Sequence, residues 1–217
     1  MPPVRIRYLT IEVGDVDIHL CILRNNQQYE DDGGLTEALG ISTATWPLFG
    51  QLWDSSVVLA HLMLRHDIQG MRILEVGCGM ALSSHVLEHR VADITATDHH
   101  PSVAPFLQRN TALNDGRPIP FVRAGWDDDG EDELGRFDLI IGSDLLYERG
   151  HAEMLSRFID QHANVSCKVI LIDPGRGYRA RFSRNMVQRG YTHSQCAAST
   201  EGIDTAGFRA TVLTYTR

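Results

Sequence analysis

No apolar run in this chain of 217 residues approaches the roughly 20 needed to cross a bilayer, and the opening MPPVRIRYLTIEVGD lacks the unbroken apolar stretch of a secretory signal. Cysteine is scarce. Cys21, Cys78, Cys167 and Cys196 are far apart and form no Cys-x-x-Cys pair, a usage that fits a reducing compartment. A cytoplasmic location is the resulting expectation. Basic residues are in deficit, 20 Lys plus Arg against 28 Asp plus Glu, and the net charge of -8 opposes tight binding to nucleic-acid phosphates. Six of the negative charges sit in one run, Asp127, Asp128, Asp129, Glu131, Asp132 and Glu133, so the rest of the chain is near balance. That run is either a solvated loop or a collar for a basic partner.

What remains is ordinary globular material: 43% hydrophobic and 22% charged, long enough to bury a full core without disulfide or metal staples. Residues 4 to 23 fall into two short apolar stretches around Gly14-Asp15, which predicts a β-hairpin arm. Residues 24 to 45 are polar and Gly-rich, a linking loop with a short helix near Thr36 to Leu39. Residues 1–45 are therefore expected to be an arm and linker, and 46–217 the main domain. Asp54 caps a buried helix running from Ser55 to about Arg65. Beyond it, short apolar runs alternate with helical stretches: RILEV at 72–76, DITATD at 93–98, IPFVRA at 119–124, FDLIIG at 137–142 and CKVILID at 167–173. Helices are expected up to Arg90, from Pro101 to Leu113, from Arg149 to His162 and from Tyr178 to Gln188. The final YTHSQC and FRATVLTYT have no helix between them and read as an antiparallel closing pair. The expected fold is α/β, a Rossmann-like doubly wound sheet of seven strands. It is mostly parallel, with an antiparallel C-terminal strand, and carries the hairpin as an N-terminal arm.

RILEV runs straight into GCGMALSS, placing Gly77, Cys78 and Gly79 in a strand-to-helix turn, where doubly wound folds bind ligands. Asp98 ends the next strand, where a carboxylate can accept hydrogen bonds from both hydroxyls of a ribose. A dinucleotide fingerprint would need glycine at position 82, which is Leu82. Glu75, just before the turn, suits a cationic amino group better than a pyrophosphate. S-adenosylmethionine has that amino group and no phosphate. Polar side chains also mark the end of FDLIIGSDLLYE, where Ser143, Asp144 and Tyr147 are expected at the carboxyl edge of the sheet.

GQLWDSSVVLA at 50–60, LEVGCGMALSS at 74–84, Asp98, AGW at 124–126 and SDLLYE at 143–148 together resemble the class I, seven-β-strand methyltransferases. More narrowly they resemble the family-16 group of protein lysine methyltransferases, with its Asp-x-x-Tyr motif after the fourth strand. The resemblance covers residues 46 to 217. It implies that Trp53, Gly77, Cys78, Gly79, Asp98, Trp126 and Ser143 contact S-adenosylmethionine, with Asp98 on the ribose and Trp126 beside the adenine. It also implies transfer of a methyl group to nitrogen, in a protein lysine, leaving S-adenosylhomocysteine. Two positions depart from the wider pattern. Ala81 stands where a third glycine is common, a mild change, and no Pro-Pro follows Asp144, which argues against the class that methylates amide or nucleobase nitrogens.

Such a transfer needs alignment and exclusion of water and no metal. Asp144 is expected to orient the acceptor amine, with its proton lost to water, and Tyr147 to line its channel. Asp173, Pro174, Arg176 and Tyr178, at the end of the fifth strand, either frame the acceptor's entrance or belong to a turn and a surface basic helix. A small-molecule N-methyltransferase and a noncatalytic S-adenosylmethionine-binding protein remain alternatives, while Leu82 and Trp126 disfavour a nicotinamide oxidoreductase. His85 and His89 match a zinc-peptidase string but lie in the helix after the glycine turn, so no metal is expected. His99 and His100 read as a turn before the next helix.

Overall fold

The computed structural model describes residues 4–27, 34, 38–42, 44–127, 134–205 and 207–217. Strands β1 (Ile6–Val13) and β2 (Val16–Leu23) pair antiparallel from Val13 opposite Val16 to Ile6 opposite Leu23, closing on Gly14-Asp15 as the sequence predicts. A 3₁₀ turn at Trp46–Gly50 leads to helix α1 (Asp54–Arg65). Strands and helices then alternate: β3 (Arg72–Val76), α2 (Leu82–His89), β4 (Asp93–Asp98), α3 (Val103–Leu113), β5 (Phe121–Arg123) and β6 (Phe137–Ser143). The chain ends with α4 (His151–His162), β7 (Ala163–Asp173), α5 (Arg179–Gln188), β8 (Thr192–Ala197) and β9 (Thr211–Thr216). Seven strands form one sheet in the order β5-β4-β3-β6-β7-β9-β8. The pairs from β5 to β7 are parallel, and β9 runs antiparallel to both neighbours.

Alternation along the strands explains the layering. Ile73, Leu139, Ile141, Ile170 and Ile172 face a core shared with α1, α2, α3 and the hairpin. Leu74, Val76, Ile140, Val169 and Leu171 point the other way, into a core built with Ala152, Leu155 and Ile159 of α4 and Phe182 and Met186 of α5. A parallel sheet covered on both faces reads as continuous apolar runs, which is the pattern in the sequence.

The element ends differ from expectation for local reasons. Asp54 does not cap α1: Trp53 holds the cap position and Asp54 is the first helical residue, where an acid favours the helix dipole. Pro120 has no N–H to give a ladder, so β5 starts at Phe121 while the Pro120 carbonyl accepts from Ala96. Helix α3 starts at Val103, two residues past Pro101. Most of the short helix near Thr36, and the acidic run beyond Asp127, lie outside the described residues. Among the described residues no helix is long and apolar enough to cross a membrane.

The hairpin is packed rather than free. Val16, Ile18, Leu20 and Ile22 of β2 join the α1–α3 core, and its outer edge is taken up by two amide side chains one helical turn apart. Asn110 Oδ1 accepts the Cys21 N–H at 2.7 Å; Asn114 accepts the His19 N–H and donates to the His19 carbonyl, both at 2.8 Å. These amides substitute for a third strand along an otherwise unpaired edge. Replacing Asn110 with Ala leaves the buried Cys21 N–H without an acceptor. The expected cost is about 1–3 kcal/mol, read as a lower urea midpoint at unchanged m-value. An unchanged midpoint would mean the hairpin is held by apolar contact alone.

Candidate functional site

Strand order reverses between β3 and β6, and the crevice beyond their carboxyl ends is where such sheets place ligands. The turn after β3 forms its floor. Gly77 and Gly79 have φ of 60° and 51°, the left-handed region that costs glycine nothing. Both are also pressed by neighbours: a Cβ on Gly77 would lie 2.6 Å from the Leu145 side chain, and one on Gly79 would lie 3.1 Å from the Phe49 carbonyl oxygen. Ala81 holds φ of 57° at the cap of α2, so the missing third glycine leaves a left-handed alanine that costs on the order of 1 kcal/mol. Cys78 donates its N–H to the Thr97 carbonyl, and burial pushes its thiol well above the usual range, leaving it unreactive.

Asp98 meets the turn from the end of β4. Its Oδ2 accepts the Gly79 N–H at 3.0 Å and its Oδ1 the His100 N–H at 2.9 Å, with His99 Nδ1 3.5 Å from Oδ1. Burial alone would raise this carboxyl; the bond from His99 and the two backbone donors outweigh it and hold Asp98 below the ordinary value. His99 is raised in turn, chiefly by that bond. A carboxylate has about four acceptor sites. With His99 also at Oδ1, three of these sites are engaged, and the capacity left for a diol in the cleft is on Oδ2.

Glu75, expected to face the cofactor's amino group, is placed elsewhere. It shares the face of Ile73, beneath α2, where its Oε2 accepts the Ser84 N–H at 2.9 Å and the Ser84 hydroxyl. It caps the first turn of α2 from the neighbouring strand and does not line the cleft. Burial raises its carboxyl to about 7. His85 is likewise buried in α2, and burial lowers its ring to about 4.

The opposite wall comes from β6, the loop beyond it and the start of α4. Ser143 ends the strand, and Asp144 turns the chain with φ of 53°, its N–H bonded to the Ile172 carbonyl at 2.9 Å. Both Asp144 oxygens are engaged by Arg176, from Nε at 2.9 Å and Nη2 at 2.7 Å, a bidentate pair. His151 meets Trp126 edge-on at 5.0 Å and Tyr147 at 4.5 Å, while its Nδ1 bonds the Leu145 carbonyl at 2.8 Å. Burial lowers His151 and pushes Tyr147 up to about 12, so the tyrosine stays protonated.

Together these residues line one cleft of about 620 Å³, within the usual range for small-molecule sites. It gathers Trp53, Gly77, Cys78, Gly79, Asp98, Trp126, Ser143, Asp144 and Tyr147; of the expected site residues only Glu75 lies outside it. Trp53 is fixed by its Nε1 donating to the Leu48 carbonyl at 3.1 Å. Sequence reasoning missed Phe49, whose ring stacks on His100 at 4.0 Å, and His151, and it left Arg176 undecided. Leu39, Gly40, Ile41 and Thr45, from the stretch read as a linker, also line the cleft. Its described charges are Asp98, Asp127, Asp144 and Glu148 against Arg176 and three histidines.

The family model described as "Lysine methyltransferase" matches residues 42–185. Protein N-lysine methyltransferase METTL21A of Danio rerio is 33% identical over 106 residues, which is 44% of this chain and 47% of that protein. The Histidine protein methyltransferase 1 homolog of Dictyostelium discoideum is 26% identical over 129 residues, 56% of this chain and 41% of that protein. The chain thus spans less than half the length of these curated relatives. Among solved structures, magnesium protoporphyrin IX methyltransferase from Synechocystis with bound SAM superposes with a TM-score of 0.58 at 18% identity, over 89% of this chain and 88% of that one. At that identity the likeness is one of fold.

Glu75 carries a testable consequence. In the unfolded chain it ionises near 4.5 and in the folded one near 7, so between these values the folded state holds the extra proton. Its contribution to stability is full below pH 4.5 and is lost as pH rises through 7. Glu75→Gln removes that loss. Relative to wild type, the variant should gain on the order of 3 kcal/mol of unfolding free energy between about pH 4.5 and pH 8, measured by urea titration. A difference that stays constant with pH would contradict the assignment.

Proposed function

The chain belongs to the lysine methyltransferase family, and from that membership we propose that it is an S-adenosylmethionine-dependent N-methyltransferase whose acceptor is a lysine side chain in a protein. S-adenosylmethionine supplies an electrophilic methyl on a sulfonium: the N–C bond forms as the C–S bond breaks, and the electron pair stays on sulfur. Everything else falls to the chain. The fit is supported by a glycine turn whose φ and close neighbours exclude side chains, and by a buried carboxylate with acceptor capacity left for a ribose diol. In this reading Trp53, Gly77, Cys78, Gly79, Asp98, Trp126 and Ser143 hold the cofactor. Trp126 offers a flat apolar face to the purine. Glu75 supports the turn from below without touching the ligand.

The observation that carries the acceptor side is that Asp144 and Tyr147 line the same cleft as the glycine turn and Asp98. Asp144 orients the amine and Tyr147 walls its channel, so that the nitrogen meets the methyl carbon in line and away from water. A proton leaves the acceptor ammonium for solvent before transfer. The acid-rich lining attracts a cationic acceptor, such as a lysine side chain, toward the cleft. Residues 46–217 form the transferase unit in this reading, and the packed hairpin completes one face of it.

Incubating the purified protein with methyl-labelled S-adenosylmethionine and a lysate from cells lacking it tests the reading, with label counted separately in protein and small-molecule fractions. Label is expected in a discrete protein band, as methyl-lysine, and Asp144→Asn should lower incorporation at least about 100-fold with cofactor affinity within about twofold. The chain's single lysine, Lys168, lies within β7, so a labelled band of another mass belongs to an acceptor. Methyl-histidine, as the name of the Dictyostelium relative suggests, would change the acceptor; label only in small molecules would overturn the protein assignment.

A further inference from the structure

Arg176 is held in place with more structure than a surface arginine needs. It lies past β7 on a short loop, with Gly175 and Gly177 on either side at φ of 96° and 99°. Nothing lies within 4 Å of where their side chains would be, so glycine serves the backbone path there and not the space. Asp173, buried at the end of β7, accepts the Gly175 N–H at 3.2 Å and faces Arg179 at 4.0 Å, which fixes the loop at its base. The path returns the guanidinium to Asp144, whose side chain is 11% exposed, through two parallel bonds.

This pairing bears on a difficulty in the proposed reaction. A lysine amine ionises near 10.4 and reacts only when neutral. A bare carboxylate beside it favours the ammonium, the unreactive form. A carboxylate already neutralised by a guanidinium exerts little net field, yet keeps lone pairs that accept N–H bonds. Resting on the reading above, we propose that Arg176 is a charge-balancing positioning residue, which lets Asp144 orient the acceptor amine by hydrogen bonding without stabilising its protonated form.

The other groups around the pair make this balance necessary. From the end of β4 come Asp98 and His99, and after β5 comes Asp127. Tyr147, Glu148 and His151 stand on the β6 side, while Asp173 and Arg179 lie behind the loop. Among the described residues lining the cleft, Arg176 is the sole arginine and no lysine is present. Without it the wall would be strongly acidic, an ammonium trap.

The test needs no acceptor. In sinefungin an amine-bearing carbon replaces the methyl-bearing sulfur of S-adenosylmethionine, so its amine reports the field at the transfer position, and S-adenosylhomocysteine is the uncharged reference there. Calorimetric titration of both into wild type, Arg176→Gln and Arg176→Lys across about pH 6.5 to 9 gives the ratio of their affinities. Arg176→Gln should leave S-adenosylhomocysteine within about twofold but tighten sinefungin about tenfold near pH 7, an advantage fading as the amine deprotonates; Arg176→Lys should stay near wild type. A ratio unchanged in Arg176→Gln, or weaker sinefungin binding, would overturn the proposal. Failure of wild type to bind either ligand would instead overturn the cofactor reading on which it rests.

Discussion

Asp98 ties together two loops that leave neighbouring strands. One carboxylate oxygen takes the N–H of Gly79, at the centre of the turn after β3; the other takes the N–H of His100, just past β4. Taking a carboxylate out of water costs several kcal/mol unless its lone pairs are matched, and here two backbone donors and His99 match them. The rest of the floor depends on this. His100 carries the stacked Phe49 and the edge of Trp46, so the 3₁₀ segment before α1 is positioned through the same carboxylate. The Phe49 carbonyl then closes on Gly79 from the other side.

Three acidic side chains within this small region are put to different uses by their surroundings. Asp98, rich in donors, is held below its usual value and remains a charged acceptor. Glu75, one strand away, is completely buried, which outweighs its serine donors, and is raised to about 7. Asp144 at the mouth is met by a guanidinium in a bidentate pair. Depth and the type of donor, rather than the residue, decide whether each is held as an ionised acceptor, pushed toward the neutral acid or locked in an ion pair.

The sheet is legible in the sequence because its central strands are buried on both faces: short apolar runs at β3, β4, β6 and β7 alternating with helix-length stretches leave few alternatives. The glycine turn and Asp98 can be named because strand, turn, helix, strand and acid occur in a fixed order within one βαβ unit. Glu75 escapes that reasoning although its direction is available in the pattern, since alternation sets it on the face of Ile73 and opposite Leu74 and Val76. The docking of the hairpin is visible only afterwards, in the four-residue spacing of Asn110 and Asn114. Phe49, His151 and Arg176 reach the cleft from three separate segments, and nothing local in their sequence marks a contact made across the fold. For Arg176 a signal does exist, in the two glycines that flank it.

The central claim is that Asp98 both builds the floor of the cleft and accepts the ribose hydroxyls of S-adenosylmethionine. Calorimetric titration of S-adenosylhomocysteine into wild type and Asp98→Asn tests it most directly. An amide in that position cannot accept from Gly79 and His100 and a diol together, so affinity should fall about ten- to a hundredfold in a chain that stays folded. Equal affinities in the two proteins would contradict the claim.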